Sequence, residues 1–141
     1  MQSRFIWAIT AAQLLAVGVL VCGLFVWPGP WNAQRYIGTA LVATGIGGIA
    51  VARYQLGKSF SIKPEAHVLV TSGVYSKIRN PIYVFGTVMI SGLVIVLQRR
   101  ALWILVAVLI VGQTIRARRE ARVLEAAFGD SYREYRRKTW F

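Results

Sequence analysis

The chain has 141 residues, of which 56% are hydrophobic, and it carries 17 lysines and arginines against only five aspartates and glutamates. Soluble domains do not combine so much apolar content with so few acids. The apolar residues also form long blocks, whereas an amphipathic soluble helix shows an apolar stripe with a period of 3.6 residues. These features exclude a soluble globular domain and predict an α-helical membrane protein.

The first apolar block, residues 5–26, is about as long as a helix that crosses the hydrocarbon core of a bilayer. It is followed by Trp27-Pro28-Gly29-Pro30-Trp31, in which proline ends a helix and tryptophan suits the headgroup level. A signal peptide is the alternative. The block is too long for one and lacks a clear small-x-small cleavage site, so we predict a retained span.

The second apolar block, residues 36–52, is rich in small residues. Ala40, Thr44, Gly48 and Ala52 recur at every fourth position. Small residues at this spacing predict close packing against another helix in lipid. No strand pattern precedes the glycines of this block, so packing is favoured over a phosphate-binding loop.

The third and fourth blocks, residues 82–97 and 101–115, are joined only by Gln98-Arg99-Arg100. Such a short connection predicts an antiparallel helical hairpin whose arginines mark the membrane edge. Each block is slightly short for a span, and flanking side chains that extend to the interface compensate for this. A re-entrant hairpin remains the alternative.

The predicted fold is therefore all-α, with about four transmembrane helices in one domain, residues 1–141, and an amphipathic helical segment near the end. The polar segments 53–80 and 116–141 fall on the same side as the N-terminus. That side holds every basic residue except Arg35, Arg99 and Arg100. Because cytoplasmic segments collect lysine and arginine, both termini are predicted to be cytoplasmic, in a bacterial or archaeal plasma membrane.

The basic surplus has a simple explanation, which is attraction to anionic lipid headgroups. No nucleic-acid-binding motif accompanies the charge, so no nucleic-acid partner is predicted. Cys22 and His67 are the only residues of their types, which excludes an internal disulfide and predicts no metal site. The sequence leaves the oligomeric state open.

Two polar segments at the predicted inner membrane edge carry more pattern. In the first, residues 70–86, Ser72-Gly73 predicts a turn, Asn80 a helix N-cap, and Pro81 the first helical position. A helix N-terminus also offers free backbone donors to an anion. Three side chains near this end are not explained by turn or capping chemistry: Tyr75, Arg79 and Tyr83.

The second segment, residues 116–135, predicts a helix break. Gly129 can end one helix, and Ser131 with Glu134 has the spacing of a capping box for the next. Arg116 and Glu120 are four residues apart, which predicts an ion pair along one helix face.

Together the two segments resemble the isoprenylcysteine carboxyl methyltransferases and the related phospholipid methyltransferases, integral membrane enzymes that use S-adenosylmethionine. That family typically shows Gly-Pro-Tyr, Arg-His-Pro-x-Tyr-x-Gly, a hydrophobic hairpin, and then Glu-Glu, Leu, Phe-Gly, Tyr and Tyr. The resemblance runs from about residue 56 to the end. The similar positions here are Gly73-Val74-Tyr75, Arg79-Asn80-Pro81-Ile82-Tyr83, Gly86, Glu120-Ala121, Leu124, Phe128-Gly129, Tyr132 and Tyr135.

Two positions depart from the family pattern. Asn80 replaces the histidine, and its amide can form hydrogen bonds but cannot titrate. Ala121 replaces the second glutamate and removes a charge. Arg116 is expected to act in catalysis by orienting an anionic group of the substrate. The resemblance implies an S-adenosylmethionine pocket lined by Arg79, Asn80, Pro81, Tyr83 and Glu120, with Tyr75 nearby.

The chemistry of methyl transfer narrows the choice of acceptor group. A carboxylate needs no general base, and because charge is destroyed on reaction with a sulfonium, a dry pocket that holds both partners in line lowers the barrier. An amine must first lose a proton, and no strong base lies near the motifs. We therefore expect S-adenosylmethionine-dependent methylation of a lipid-like or prenylated acceptor, with an isoprenylcysteine-like carboxylate favoured. The alternatives are a non-catalytic protein that binds anionic lipid through its basic tail and a membrane reductase that uses NADPH.

Overall fold

The computed structural model describes residues 15, 18–26, 28–57 and 69–141, and the chain divides into two compact units, Met1–Ala33 and Gln34–Phe141. In the first unit, residues 18–26 are helical, and the ring centroids of Phe25 and Trp31 lie 5.9 Å apart. The rest of the first predicted span lies outside the described residues, as does the middle of the predicted polar segment 53–80. That the whole chain forms one domain stays a prediction.

From Ala33 onward the elements of secondary structure among the described residues are helices, with one isolated parallel bridge between Ile78 and Trp140, so the all-α prediction is confirmed for them. Two 3₁₀ turns, η1 (Gly73–Ser76) and η2 (Arg100–Leu102), connect the longer elements. The helices are α1 (Ala33–Leu56), α2 (Pro81–Leu97), α3 (Trp103–Phe128) and α4 (Asp130–Lys138).

Two stretches of the described chain are long and apolar enough to cross a membrane, namely α1 and the continuous run Arg100–Phe128. α2 is apolar but has 17 residues. Many large apolar side chains of α3 are exposed, among them Ile104 and Val108, as expected of a surface covered by lipid. α3 continues unbroken past residue 115, so the polar segment that was predicted to begin at residue 116 starts on the same helix.

α1 and α2 pack in opposite directions along a line of glycines. A Cβ built on Gly38 would lie 2.7 Å from the carbonyl oxygen of Gly92, and one on Gly45 would lie 2.6 Å from the Cβ of Met89. Further along α1, a Cβ on Gly48 would collide with the ring of Phe85. The residue numbers of these partners on α2 fall as the residue numbers on α1 rise, so the two helices are antiparallel. They approach each other as closely as the predicted small residues allow.

The packed face of α1 differs in part from the prediction. Gly48 contacts α2 and Ala52 is buried as expected, but Ala40 and Thr44 are exposed. The hydroxyl of Thr44 donates to the carbonyl of Ala40 on the same helix. A strict spacing of four drifts about 40° around a helix of 3.6 residues per turn at each step. The face in contact therefore mixes steps of three and four: Gly38, Val42, Gly45, Gly48 and Ala52.

α2 and α3 form the predicted antiparallel hairpin. Gln98 has φ 53° and lies in the left-handed region that turns the chain after α2, and its N–H donates to the carbonyl of Val94. Side-chain bonds join Tyr83 to Glu120 and Thr87 to Gln113. The order of these pairs shows that the two helices run in opposite directions.

The two predicted helix starts have different outcomes. α2 begins at Pro81 with Asn80 as its N-cap, as predicted, although the Asn80 side chain makes no capping bond. The capping box at Ser131 is wrong, because α4 begins at Asp130 and its N-cap is Gly129. Gly129 has φ 53° and ψ −123°, a conformation that only glycine adopts easily, so the chain restarts helix within one residue.

Candidate functional site

Three predicted site residues meet where the first turn of α2 faces α3. The hydroxyl of Tyr83 donates to Oε1 of Glu120 at 2.7 Å, and the Nε of Arg116 donates to the same oxygen at 3.2 Å. The Arg116 guanidinium also lies 5.9 Å from the centre of the Tyr83 ring. The Arg116 side chain is 73% exposed and that of Glu120 44%, so this pair adds little stability. It fixes the direction of the carboxylate.

The segment before α2 is held by side chains from two other helices. The amide oxygen of Gln55, in the last turn of α1, accepts the N–H of Val74 at 2.8 Å. From α4, the buried hydroxyl of Tyr135 donates to the carbonyl of Tyr75 at 2.7 Å. Gly73 has φ 61°, and a Cβ there would collide with the Gln55 side chain, so this turn requires glycine.

The last residues of the chain dock beside the motif at the start of α2. The N–H groups of Arg79 and Asn80 donate to the carbonyls of Trp140 and Phe141, each at 3.0 Å. In return the N–H of Trp140 donates to the carbonyl of Lys77 at 2.7 Å. These three bonds fix the backbone from which the Arg79 side chain projects.

The Arg79 side chain has a buried polar atom, its Nε, that forms no hydrogen bond with the described residues. A buried cationic donor without a partner is costly, and the cost is removed when an anion or a carbonyl oxygen occupies the position it faces. The Nε of Arg79 is therefore a buried hydrogen-bond donor with unused capacity.

Tyr132, on α4, is a buried phenol near several charged side chains. Burial raises its pKa, while the charges of Arg79 and Arg136 lower it and those of Glu125 and Glu120 raise it by smaller amounts. The phenol is therefore held in its neutral form.

The other two buried tyrosines are also held neutral. Burial raises the pKa of Tyr75, and burial together with the neighbouring phenols raises the pKa of Tyr135 to about 12. Neutral phenols are hydrogen-bond donors near pH 7 and not bases. They support the site by packing and bonding.

The structure brings some of the predicted site residues into contact with one another, whereas others bond to different parts of the chain. Tyr83, Glu120 and Arg116 are in direct contact, and Pro81 is buried in the first turn of α2. Tyr75 is buried, and its backbone carbonyl accepts the hydroxyl of Tyr135. The Asn80 backbone is bonded to the chain end. Among the described residues, no group of three histidine, cysteine, aspartate or glutamate side chains could hold a metal ion.

Sequence reasoning missed three residues that shape the site: Gln55, Gln113 and Trp140. Gln113 carried a usable signal, since it is a polar amide inside an apolar block. Gln55 and Trp140 carried no such signal, because each acts by forming a hydrogen bond with a backbone group that is distant in sequence.

Comparison with known proteins gives one match. A model of the phospholipid methyltransferase family matches residues 33–131, which is most of the chain. The matched range contains Arg79 and the cluster of Tyr83, Arg116 and Glu120. No match was found among curated proteins or among solved structures.

Proposed function

The chain belongs to the phospholipid methyltransferase family, and we propose that it transfers the methyl group of S-adenosylmethionine to an amphiphilic acceptor embedded in the membrane. Members of this family are membrane methyltransferases, and the apolar helices of the chain agree with that setting. The cofactor, the acceptor and the roles of individual residues are the proposal.

The observation that carries the proposal is the buried Nε of Arg79, which has no hydrogen-bond partner among the described residues. S-adenosylmethionine has a carboxylate and an ammonium on its amino-acid part. A guanidinium suits the carboxylate, since its planar donors match two oxygens at once. Asn80, next to Arg79 in sequence, offers an amide that makes no capping bond and can bind a neutral group of the cofactor.

Glu120 suits the cationic part of the same ligand. Its Oε1 accepts hydrogen bonds from the hydroxyl of Tyr83 and the Nε of Arg116, whereas its Oε2 accepts none from a described residue. That oxygen is available to an ammonium or to a ribose hydroxyl. The residues present therefore match both charged groups on the amino-acid part of the cofactor, and Pro81 and Tyr75 are proposed as the apolar wall.

The cofactor supplies a methyl group on a positively charged sulfur, so transfer to a carboxylate forms a neutral ester and a neutral thioether. The protein's part is to orient the two groups and to exclude water. Arg116, at the edge of the apolar part of α3, is proposed to hold the anionic group of the acceptor. An isoprenylcysteine-like carboxylate is the favoured acceptor because it needs no base.

A phospholipid amine is the second candidate acceptor, and the family match is what favours it. An ammonium headgroup must lose a proton before it can attack. Glu120 is the carboxylate of the cluster, and its Oε1 already accepts hydrogen bonds from Tyr83 and Arg116, so the site offers no free base to take that proton. An amine acceptor would therefore react faster at higher pH, whereas a carboxylate acceptor would not.

The test is calorimetric titration of the detergent-purified protein with S-adenosylmethionine, beside Arg79→Ala and Glu120→Ala. Arg119→Ala and Glu134→Ala are matched controls, since both residues are exposed and neither touches the cluster. We expect saturable binding that weakens at least tenfold in the two site variants, about 1.4 kcal/mol or more, and is unchanged in the controls.

The same titration with NADPH distinguishes the alternative functions, which are a reductase and a non-catalytic lipid-binding protein. Failure of the folded wild type to bind S-adenosylmethionine, even with added lipid, would overturn the cofactor assignment. Saturable NADPH binding in its place would favour a reductase, and binding of neither would favour a protein that only holds anionic lipid.

A further inference from the structure

A second polar contact joins α2 and α3, one helical turn along α2 and about two turns along α3 from the Tyr83–Glu120 pair, inside the apolar part of the hairpin. The hydroxyl of Thr87 lies 2.8 Å from Oε1 of Gln113, and the same hydroxyl lies 3.0 Å from the carbonyl oxygen of Tyr83. Both side chains are part-buried. Polar groups at such positions in a membrane helix are costly and require a structural or functional reason.

The hydrogen-bonding capacity of Gln113 is only partly used. A hydroxyl has one hydrogen, so Thr87 can donate to Tyr83 or to Gln113 but not to both at once. Whichever way the amide is turned, one of its two polar ends bonds Thr87, and the other has no partner among the described residues.

The unused end of the amide faces a gap in α2. Among the described residues, a Cβ built on Gly86 would come within 4 Å of the Nε2 of Gln113 alone, at 3.8 Å. In contrast, the glycines of α1 that face α2 have no room for a side chain, because a Cβ on Gly45 would collide with Met89. The side of α2 that carries Gly86 therefore has free space next to an unsatisfied amide.

We propose that Gln113 binds the polar head of the methyl acceptor, with Gly86 providing the space for it; this inference rests on the proposed methyltransferase function. Gln113 lies seven residues before Glu120 on α3, about 10 Å along the helix toward the apolar end. A cofactor held at Arg79 and Glu120 would enter from the polar side. An acceptor with its chains in lipid would present its head from the other side, where Gln113 lies.

An amide suits this position chemically. It donates to a carboxylate oxygen or accepts from an amine without placing a charge among apolar residues. As a neutral donor it orients a carboxylate nucleophile and leaves its negative charge in place. The shared chemistry of the acceptor is thus a small polar head with one hydrogen-bonding group beside the reacting atom.

The experiment measures binding of two probes to the full chain in detergent: an S-farnesylated cysteine derivative with a free carboxylate, and a single-chain phosphatidylethanolamine. S-adenosylhomocysteine is present so that no turnover occurs. The variants are Gln113→Met, which keeps the length of the side chain, and Thr87→Val, which removes the helix-joining bond but leaves the amide. Gly86→Val, which fills the gap, is the second test if Gln113→Met does not fold.

We expect Gln113→Met to weaken binding of at least one probe about tenfold and to leave S-adenosylhomocysteine affinity within twofold. Thr87→Val should leave the affinity for the probe within about threefold. Equal losses in both variants would assign the amide to helix packing and overturn the proposal. So would unchanged binding in Gln113→Met, or failure of the folded wild type to bind either probe.

Methyl transfer from labelled S-adenosylmethionine is measured separately, so that the two proposals can fail independently. Probe binding that depends on Gln113 without methyl transfer would overturn the proposed function and leave the Gln113 site standing. Methyl transfer with wild-type probe affinity in Gln113→Met would do the reverse.

Discussion

Buried tyrosines at the polar end of the hairpin connect elements that are distant in sequence. Tyr135 on α4 bonds the carbonyl of Tyr75 in η1, sixty residues earlier. Both are buried, and so is Tyr132, which lies near the charges of Arg79 and Glu120. Each phenol is stabilised in its neutral form, so the segment that carries Arg79 depends on protonated tyrosine.

This dependence predicts a loss of stability at alkaline pH. The pKa of Tyr135 is raised from about 10 to about 12, so the folded state keeps the proton over the interval in which the unfolded chain loses it. Its contribution is fully present below pH 10 and is lost as the pH rises toward 12. Thermal unfolding in detergent should therefore show a Tm that falls more steeply above pH 10 in the wild type than in Tyr135→Phe.

Tyr54→Phe is the matched control, since Tyr54 is 87% exposed. It should keep the wild-type slope of Tm against pH. Tyr135→Phe should also be less stable at pH 7, by about 1 kcal/mol, because the Tyr75 carbonyl loses its donor. Identical slopes in Tyr135→Phe and the wild type would contradict the assignment.

At the scale of elements, the α1–α2 contact is set by glycines that have no room for a side chain. The backbone of α2 approaches α1 so closely that a Cβ on Gly92 would lie 2.6 Å from the carbonyl oxygen of Gly38. α2 in turn presents Tyr83, Gly86 and Thr87 to α3 and to the site. Packing on one face of α2 therefore determines the geometry on the other.

Gly45→Val should separate α1 from α2, because the new side chain would meet the backbone of α2 at Phe85 and Met89. We expect a loss of about 1–3 kcal/mol in stability, seen as a lower Tm in detergent. Gly47→Val is the control on the same helix, since a Cβ there meets no described residue within 4 Å. Equal loss in both variants would show that helix propensity, and not the contact, governs the result.

At the scale of the whole molecule, charge and apolar surface divide between different parts of the chain. α3 exposes apolar residues over its first half, whereas α4 is dominated by charged residues and buries only Tyr132 and Tyr135. Basic residues are concentrated in the segments predicted to be cytoplasmic. This asymmetry is what predicts the orientation of the protein in the membrane.

Cysteine labelling in cells tests that orientation. In a Cys22→Ser background, Ala101→Cys and Ser131→Cys place single thiols at exposed positions near the hairpin turn and on α4. A membrane-impermeant maleimide should label position 101 in intact cells and position 131 only after permeabilisation. The opposite pattern would reverse the topology, and labelling of both in intact cells would contradict the hairpin span.

The sequence by itself determined the membrane class, the hairpin of α2 and α3, the start of α2 at Pro81, and the family, because these follow from apolar block length, local backbone preference and ordered motifs. It did not determine the packed face of α1, since that depends on which residues of α2 approach it. The continuation of α3 past residue 115 and the restart at Asp130 were also decided by the structure. Hydrogen bonds from Gln55, Gln113 and Trp140 join groups that are between 19 and 63 residues apart. Only the tertiary structure decides these pairings, because the local sequence does not specify which distant group a residue will meet.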